Sequence, residues 1–114
     1  MDFTQGRPTF SGFAELTAIA SLDVSSADSV SVVTFAAGAR TYWHEHEAGQ
    51  ILVVIRGAGA VTVAGQEPVP LSEGDVVIAE PGEVHWHGAG LDSDFAHLAV
   101  SRGTTTWHCP TGAP

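Results

Sequence analysis

The stretch Gly38–Gly57, GARTYWHEHEAGQILVVIRG, contains the residues on which both fold and function depend. His44 and His46 are two residues apart in a segment that is predicted to be extended. Because alternate side chains of a strand point to the same face, both imidazoles should face the same way. Gln50 lies at an even offset and joins that face if the chain turns back just before it. Two imidazoles and an amide oxygen converging on one point make up most of a metal site.

A second stretch, Pro81–His87 (PGEVHWH), offers another pair of histidines at the same spacing, His85 and His87. His97 lies on the last predicted strand, where it shares a face with Phe95. A single histidine on an apolar face is usually a hydrogen-bonded core residue, whereas two pairs and an amide favour a metal centre. Neutral imidazole binds Mn, Fe, Ni, Cu and Zn alike, so the ligand types do not choose between these metals.

The composition indicates a single folded domain with an acidic surface. The chain has 114 residues, of which 44% are hydrophobic and 15% charged, as is typical of one compact domain. It has no lysine, and its formal net charge is −9. Such a surface repels phosphate groups, so we expect neither nucleic acid nor an anionic membrane as a partner. The single cysteine, Cys109, and an N-terminus without a signal-like pattern predict a cytoplasmic protein.

Short apolar runs separated by glycine and proline turns predict an all-β sandwich or barrel. Residues 10–20 have apolar residues at helical spacing, but the glycine and threonines among them favour a strand. Ile51–Ile55 is apolar on both faces, which predicts a strand buried between two layers. We expect an extended arm at residues 1–9, the β domain at residues 10–102 and a C-terminal tail at residues 103–114, which is mobile except where Trp107 pins it to the body or to a partner chain.

Two motifs of the chain resemble the two sequence motifs of the cupin family. The first, Gly38–Gly57, has the pattern G-x5-HxH-x3-Q-x6-G, with Gln50 where most cupins have glutamate. The second, Gly74–His85, keeps Gly-Asp-Val-Val and Pro-Gly-x-x-His, with Glu80 where proline is usual and Ala89 where asparagine is usual. The resemblance implies an all-β cupin fold, a double-stranded β-helix or jelly-roll barrel.

The resemblance to cupins also implies a set of metal ligands, namely His44, His46, Gln50 and His85. All four donors are neutral, so a bound divalent ion would keep its full +2 charge and act as a strong Lewis acid. Such an ion is suited to holding an alkoxide or carbonyl oxygen, and less suited to stabilising ferric states.

More narrowly, the histidine-rich stretches and a later Ala-His-Leu-Ala resemble small bacterial cupins that include manganese-dependent hydroxynitrile lyases. This resemblance implies Mn²⁺ as the metal and places His87, His97 and Thr41 around the substrate, where the histidines act on its proton. Strand parity favours Tyr42 over Thr41 as the inward residue, unless a bulge intervenes. Whether His87 is a fifth ligand or a base stays open at this point.

These observations predict a metal-dependent lyase or isomerase that acts on a small hydroxy or carbonyl compound, with His87 or His97 as general base. The alternatives are a cupin dioxygenase using Fe, Cu or Ni, a polyketide cyclase-like enzyme, and a non-catalytic cupin that binds a metal or a small molecule. The expected partners are a small-molecule substrate and a second copy of the chain in a homodimer.

Overall fold

The structure of the chain is a computed structural model, and it describes residues 10–12, 14–20 and 28–108. The predicted arm at residues 1–9 and Cys109 lie outside the described residues. Among the described residues, no helix is long and apolar enough to cross a membrane.

Twelve strands form in the described part of the chain, and every strand pairing is antiparallel. Residues 10–20 contribute two of them and no helix, so the preference for a strand in this segment is confirmed. In chain order the strands are β1 Phe10–Ser11, β2 Ala14–Ala20, β3 Ser29–Phe35, β4 Arg40–Thr41, β5 His44–His46, β6 Gln50–Gly57, β7 Gly59–Val63, β8 Val69–Leu71, β9 Val76–Ala79, β10 His85–Ala89, β11 Phe95–Ser101 and β12 Thr105–Trp107.

The strands form two sheets that pack face to face. The five-stranded sheet has the order β2-β3-β11-β6-β9. In the seven-stranded sheet β10 is central and pairs with β7 on one side and with β4 and β5 on the other. β8, β1 and β12 extend this sheet beyond β7, β4 and β5 respectively. The all-β prediction is confirmed.

The hydrophobic core fills one part of the space between the two sheets. Its centre is an aromatic pair, Phe35 and Phe95, whose rings are 6.0 Å apart and which are both fully buried. Inward positions alternate with outward ones along β3 and β6, as the pleat of a strand requires. The buried members of the core are Val33, Phe35, Ala39, Val54, Val61, Leu71 and Phe95.

The prediction that Ile51–Ile55 is buried on both faces is wrong. Leu52 and Val54 point into the core, but Ile51 is 40% exposed and Ile55 is 48% exposed. Antiparallel sheets are commonly covered on one face only, and β6 lies in such a sheet.

The parity argument that placed Tyr42 inward is also wrong. The extended segment is interrupted at Tyr42 and Trp43, between β4 and β5. This break shifts the alternation, so Thr41 is 1% exposed and inward-facing while Tyr42 is half-buried. Thr41 and His44 therefore reach the same interior, although they are an odd number of residues apart.

Part of the predicted tail, the segment that contains Trp107, is paired with the body of the domain. Thr105–Trp107 forms β12, in which Thr105 pairs with His46 and Trp107 pairs with His44. The ring of Trp107 lies 4.5 Å from the ring of His44, centre to centre. β12 thus contacts the histidine-bearing strand directly.

Candidate metal centre

Three strands bring five histidines together between the sheets. β5 carries His44 and His46, β10 carries His85 and His87, and β11 carries His97. His44 lies directly opposite His85 in the register of β5 and β10, with ring centres 4.5 Å apart. All five side chains are at most 4% exposed. The histidines that the sequence analysis selected are thus neighbours in one buried cluster.

Gln50 joins the cluster because the chain reverses direction between β5 and β6. Gly49 makes this turn with a φ of 92°, and its N–H donates to the carbonyl oxygen of His46. A β-carbon at Gly49 would lie only 2.8 Å from the carbonyl oxygen of Ala79, so the turn requires glycine for space as well. Gln50 is buried, and its Nε2 donates to Ser101 Oγ over 2.9 Å, which directs Oε1 toward the histidines.

Backbone carbonyls fix the proton positions of two rings. His44 Nδ1 lies 2.8 Å from the carbonyl oxygen of Tyr42, and His85 Nδ1 lies 2.9 Å from that of Glu83. A carbonyl oxygen only accepts hydrogen bonds, so each Nδ1 carries the proton. In the neutral rings, Nε2 therefore keeps the free lone pair, which is the form in which histidine binds a metal.

His46 is held differently, by a side chain rather than by the backbone. Its Nδ1 lies 2.9 Å from Thr105 Oγ1. Its Nε2 is buried and has no hydrogen-bond partner among the described residues. Burying a polar atom without a partner is costly, so an ion that binds to it would remove that cost.

The contact between Gln50 and His85 also favours a cation at this position. Gln50 Oε1 lies 3.2 Å from His85 Nε2, although both atoms present lone pairs. Two acceptors at this distance repel each other unless a proton or a cation lies between them. Among the described residues, His44, His85 and His87 are the histidines whose nitrogens all lie within 4.8 Å of one another, and the amide oxygen of Gln50 lies beside them. These residues fit a divalent metal ion.

Burial keeps the histidines neutral, as metal binding requires. Desolvation, with a smaller contribution from the neighbouring His85, lowers the pKa of His46 from 6.5 to about 4. Desolvation likewise lowers the pKa of His97 to about 4 and holds the pKa values of His44 and His87 well below 6.5. The pKa of His85 is lowered by the same cause. The neutral form of all five rings is therefore favoured at pH 7.

His87 combines two contacts that the other rings do not share. One ring nitrogen of His87, one of His44 and one of His85 all lie within 4.8 Å of one another. It also lies beside His97, with His87 Nδ1 and His97 Nε2 3.0 Å apart. The backbone N–H of His87 donates to Thr41 Oγ1 over 3.2 Å. His87 is thus close enough to the cluster to be a ligand, and is paired with a second imidazole that is suited to sharing a proton.

A cavity of about 130 Å³ adjoins the histidine cluster and extends toward β2, β3 and β11. Its apolar wall consists of Leu16, Val33 and Ala99, and Trp107 also lines it. Thr41 lies in the lining as well, so the structure places every predicted catalytic residue at this cavity. The space is suited to a small molecule with one polar and one apolar end.

Thr105 and Ser101 contact the site, but the sequence analysis did not select them. Each hydroxyl orients one proposed ligand: Thr105 contacts His46, and Ser101 accepts from Gln50. Ser101 could have been found from the alternation of β11, because it shares a face with His97. Thr105 could not have been found from the sequence, because its position depends on the pairing of β12 with β5.

Replacing Thr105 with valine is expected to weaken metal binding by about 10–100-fold, because the ring of His46 loses the partner that orients it. The measurement is a calorimetric titration of the metal-free protein with Mn²⁺. Thr106→Val is the matched control, since Thr106 is exposed on the opposite face of the same strand. Equal affinities of the Thr105 variant and the unchanged protein would remove Thr105 from the site.

The two-sheet fold and the buried histidines between the sheets are those of a cupin, and a comparison of the sequence with family models gives the same result. The family model of the cupin domain matches residues 31–101, which is more than half of the chain. The chain therefore belongs to the cupin family. The match includes every histidine of the cluster.

Individual relatives place the chain among small cupins. It is 47% identical over 68 residues to an (R)-mandelonitrile lyase of Granulicella tundricola. That similarity covers 60% of this chain and 52% of the relative, so the chain spans about half the length of that enzyme.

Solved structures show the same fold. A cupin-like protein from Thermotoga maritima superposes with a TM-score of 0.85 and 35% identity, covering 91% of this chain and 82% of that one. A DMSP lyase from Ruegeria pomeroyi has a TM-score of 0.71 and 24% identity, covering 87% of this chain and 53% of that one. The latter similarity shows the fold alone.

Proposed function

We propose that the protein is a metal-dependent lyase that cleaves small α-hydroxynitriles into a carbonyl compound and hydrogen cyanide. The observation that carries the proposal is the pair His87 and His97, which lines the same cavity as His44, His46 and Gln50. Cleavage next to a hydroxyl group needs a base that takes the hydroxyl proton, and a Lewis acid at the same oxygen assists it. The similarity to an (R)-mandelonitrile lyase supports this reaction class.

The proposed metal ligands are His44, His46, His85 and Gln50. A divalent ion held by these neutral donors would keep its +2 charge and supply Lewis acidity to the oxygen of the substrate. Nitrogen and oxygen donors without sulfur are compatible with Mn²⁺, which the resemblance to manganese-dependent cupins also favours. We therefore propose Mn²⁺ in preference to Fe, Ni, Cu or Zn.

The pair His87 and His97 would serve as the base. When His87 donates from Nδ1 to His97 Nε2, its Nε2 holds a free lone pair that can take the hydroxyl proton of the substrate. The electrons of that O–H bond form the carbonyl, and the bond to the nitrile carbon breaks with its electron pair on cyanide. The proton then passes from the imidazole pair to cyanide, so the products are a carbonyl compound and hydrogen cyanide.

Thr41 and the apolar wall would orient the substrate. The hydroxyl oxygen of Thr41 accepts a hydrogen bond from the backbone N–H of His87. The hydroxyl proton of Thr41 would donate to an oxygen or nitrile group of a substrate in the cavity. Leu16, Val33 and Ala99 offer apolar contacts to an alkyl or aryl group in the same cavity, next to His97. These contacts would hold the aryl group of mandelonitrile in the cavity while its hydroxyl group lies near the bases.

The experiment is an assay of mandelonitrile cleavage by metal-free protein before and after addition of Mn²⁺, followed by benzaldehyde formation. We expect activity only after metal addition, loss of activity with a chelator, and no oxygen consumption. Oxygen uptake with an aromatic or enediol substrate, in place of mandelonitrile cleavage, would favour the dioxygenase alternative. Full metal loading without turnover would contradict the proposed lyase.

A further inference from the structure

The cavity beside the histidine cluster has a second polar end, away from His87 and His97. Three serines on two neighbouring strands line it, namely Ser29 and Ser31 of β3 and Ser101 of β11. We call these three residues the serine end. Serine is mostly an exposed residue in proteins, so three serines that line one interior space require an explanation.

The register of the five-stranded sheet places the serine end beside the proposed base. Ser29 lies opposite Ser101, and Ser31 lies opposite Ala99. Because His97 comes two residues before Ala99 on β11, Ser31 is one inward position away from the base. A two-residue step along a strand is about 7 Å. A compact molecule can therefore contact the imidazole pair and the serine end at the same time.

The hydroxyl groups of the serine end can still form hydrogen bonds. Ser31 is only 6% exposed, and its hydroxyl has no hydrogen-bond partner within the described part of the chain. Burying a polar group without a partner is costly, and the space that Ser31 lines is the cavity. Ser101 Oγ accepts from Gln50 Nε2, so the hydroxyl proton of Ser101 can donate to a group in the cavity. The serine end thus offers both donors and acceptors to a bound molecule.

The surroundings of the serine end favour an uncharged polar group. None of the cavity-lining residues that the structure describes is an aspartate, glutamate, lysine or arginine. The charged residues that adjoin the serine end in sequence, Asp28 and Arg102, pair with each other over 2.8 Å. An ionised group would have no counter-ion at the serine end, so a hydroxyl or carbonyl group fits it better.

The volume of the cavity limits the size of the molecule that it can hold. The cavity measures about 130 Å³. For comparison, a cavity of about 150 Å³ in another protein holds one benzene molecule. A molecule that reaches from the imidazole pair to the serine end within this volume has a short carbon chain.

We infer that the preferred substrate carries a second, uncharged hydroxyl group, which binds to the serine end. The inference rests on the proposed lyase function and narrows its substrate class to short aliphatic α-hydroxynitriles with a hydroxyl group at the far end of the chain. The reacting hydroxyl group lies at His87 and His97, and the second hydroxyl group exchanges hydrogen bonds with Ser31 and Ser101. A site that binds a hydroxyl group in this way discriminates against an analogue without it, because the polar groups of the site are then left unpaired.

The test compares two substrates of the same size, the cyanohydrins of 3-hydroxypropanal and of butanal, which differ by a terminal hydroxyl group in place of a methyl group. We expect kcat/KM of the Mn²⁺-loaded protein to be about tenfold higher for the hydroxylated substrate, since one neutral hydrogen bond gives selectivity of this order. Ser31→Ala should remove this preference, whereas Ser31→Thr, which retains a hydroxyl group, should keep it.

Thr34→Val is the matched control, because Thr34 lies on the outward face of the same strand. This variant removes a hydroxyl group with little change in volume, and it should leave the substrate preference unchanged. Equal kcat/KM for the two substrates, or a preference that persists in Ser31→Ala, would overturn the inference.

Binding of non-reacting analogues separates the inference from the proposed reaction. The probes are 1,3-butanediol and 2-pentanol, which lack the nitrile group and differ by the same terminal hydroxyl group. Titrations followed by NMR should show tighter binding of the diol to the unchanged protein and no such difference in Ser31→Ala. Tighter binding of the diol without cleavage of either cyanohydrin would support the serine end and contradict the lyase. Cleavage of both cyanohydrins at the same rate, with equal binding of the two probes, would support the lyase and overturn the inference.

Discussion

Replacing His85 with alanine is expected to remove metal binding and, with it, all measurable lyase activity. His85 lies opposite His44 in the strand register and 3.2 Å from Gln50 Oε1, so it connects the two halves of the proposed donor set. Changes outside the ligand shell already cost about 10–100-fold in metal affinity, and loss of a ligand should cost more. The measurements are metal content after dialysis and the rate of mandelonitrile cleavage.

Two control variants accompany His85→Ala. His85→Asn keeps more of the side-chain volume and separates loss of the ligand from the cavity that alanine leaves. His108→Ala removes a histidine outside the cluster, which pairs with Glu45 over 2.7 Å, and should leave metal content and activity unchanged. An alanine variant at His85 that is folded, fully metal-loaded and active would contradict the proposed ligand set.

Replacing His97 with alanine is expected to reduce kcat by about 10²–10⁴-fold while metal content stays the same, because the ring acts on the proton rather than on the metal. His87→Ala should reduce kcat at least as much, since its Nε2 is the atom proposed to take the proton. Single-turnover kinetics with metal-loaded variants measures the effect.

A variant that lowers kcat but keeps its metal content has lost the base, whereas a variant that loses its metal has lost a ligand. His97 is fully buried against Phe35 and Phe95, so His97→Gln serves as a second variant that keeps a polar side chain of similar size. Melting temperatures of the metal-free variants identify any loss of fold. Unchanged kcat in both the His87 and the His97 variants would remove the proposed base.

Local periodicity predicted which face of its strand each histidine of the cluster occupies. The two-residue spacing in β5 and in β10 placed both members of each pair on one face, and the same alternation placed His97 inward on β11. The turn before Gln50 was also visible, because Gly49 permits the reversal. These predictions succeeded because each depends on a few adjacent residues.

The failures arise from features of the fold that the local residue pattern does not encode. Thr41 faces inward because the strand breaks at Tyr42 and Trp43, a break that periodicity does not register. Thr105 reaches His46 only because β12 adds to the edge of β5. Ile51 and Ile55 are exposed because the sheet is covered on one face, which no apolar run can reveal.

We propose that rings from two strands and the amide of Gln50 bind one divalent ion inside the sandwich. A crystal structure of the Mn²⁺-loaded protein, with anomalous diffraction to locate the metal, tests this proposal. We expect one anomalous peak per chain, in contact with His44, His46, His85 and Gln50. A peak elsewhere, or none after loading at saturating Mn²⁺, would contradict it.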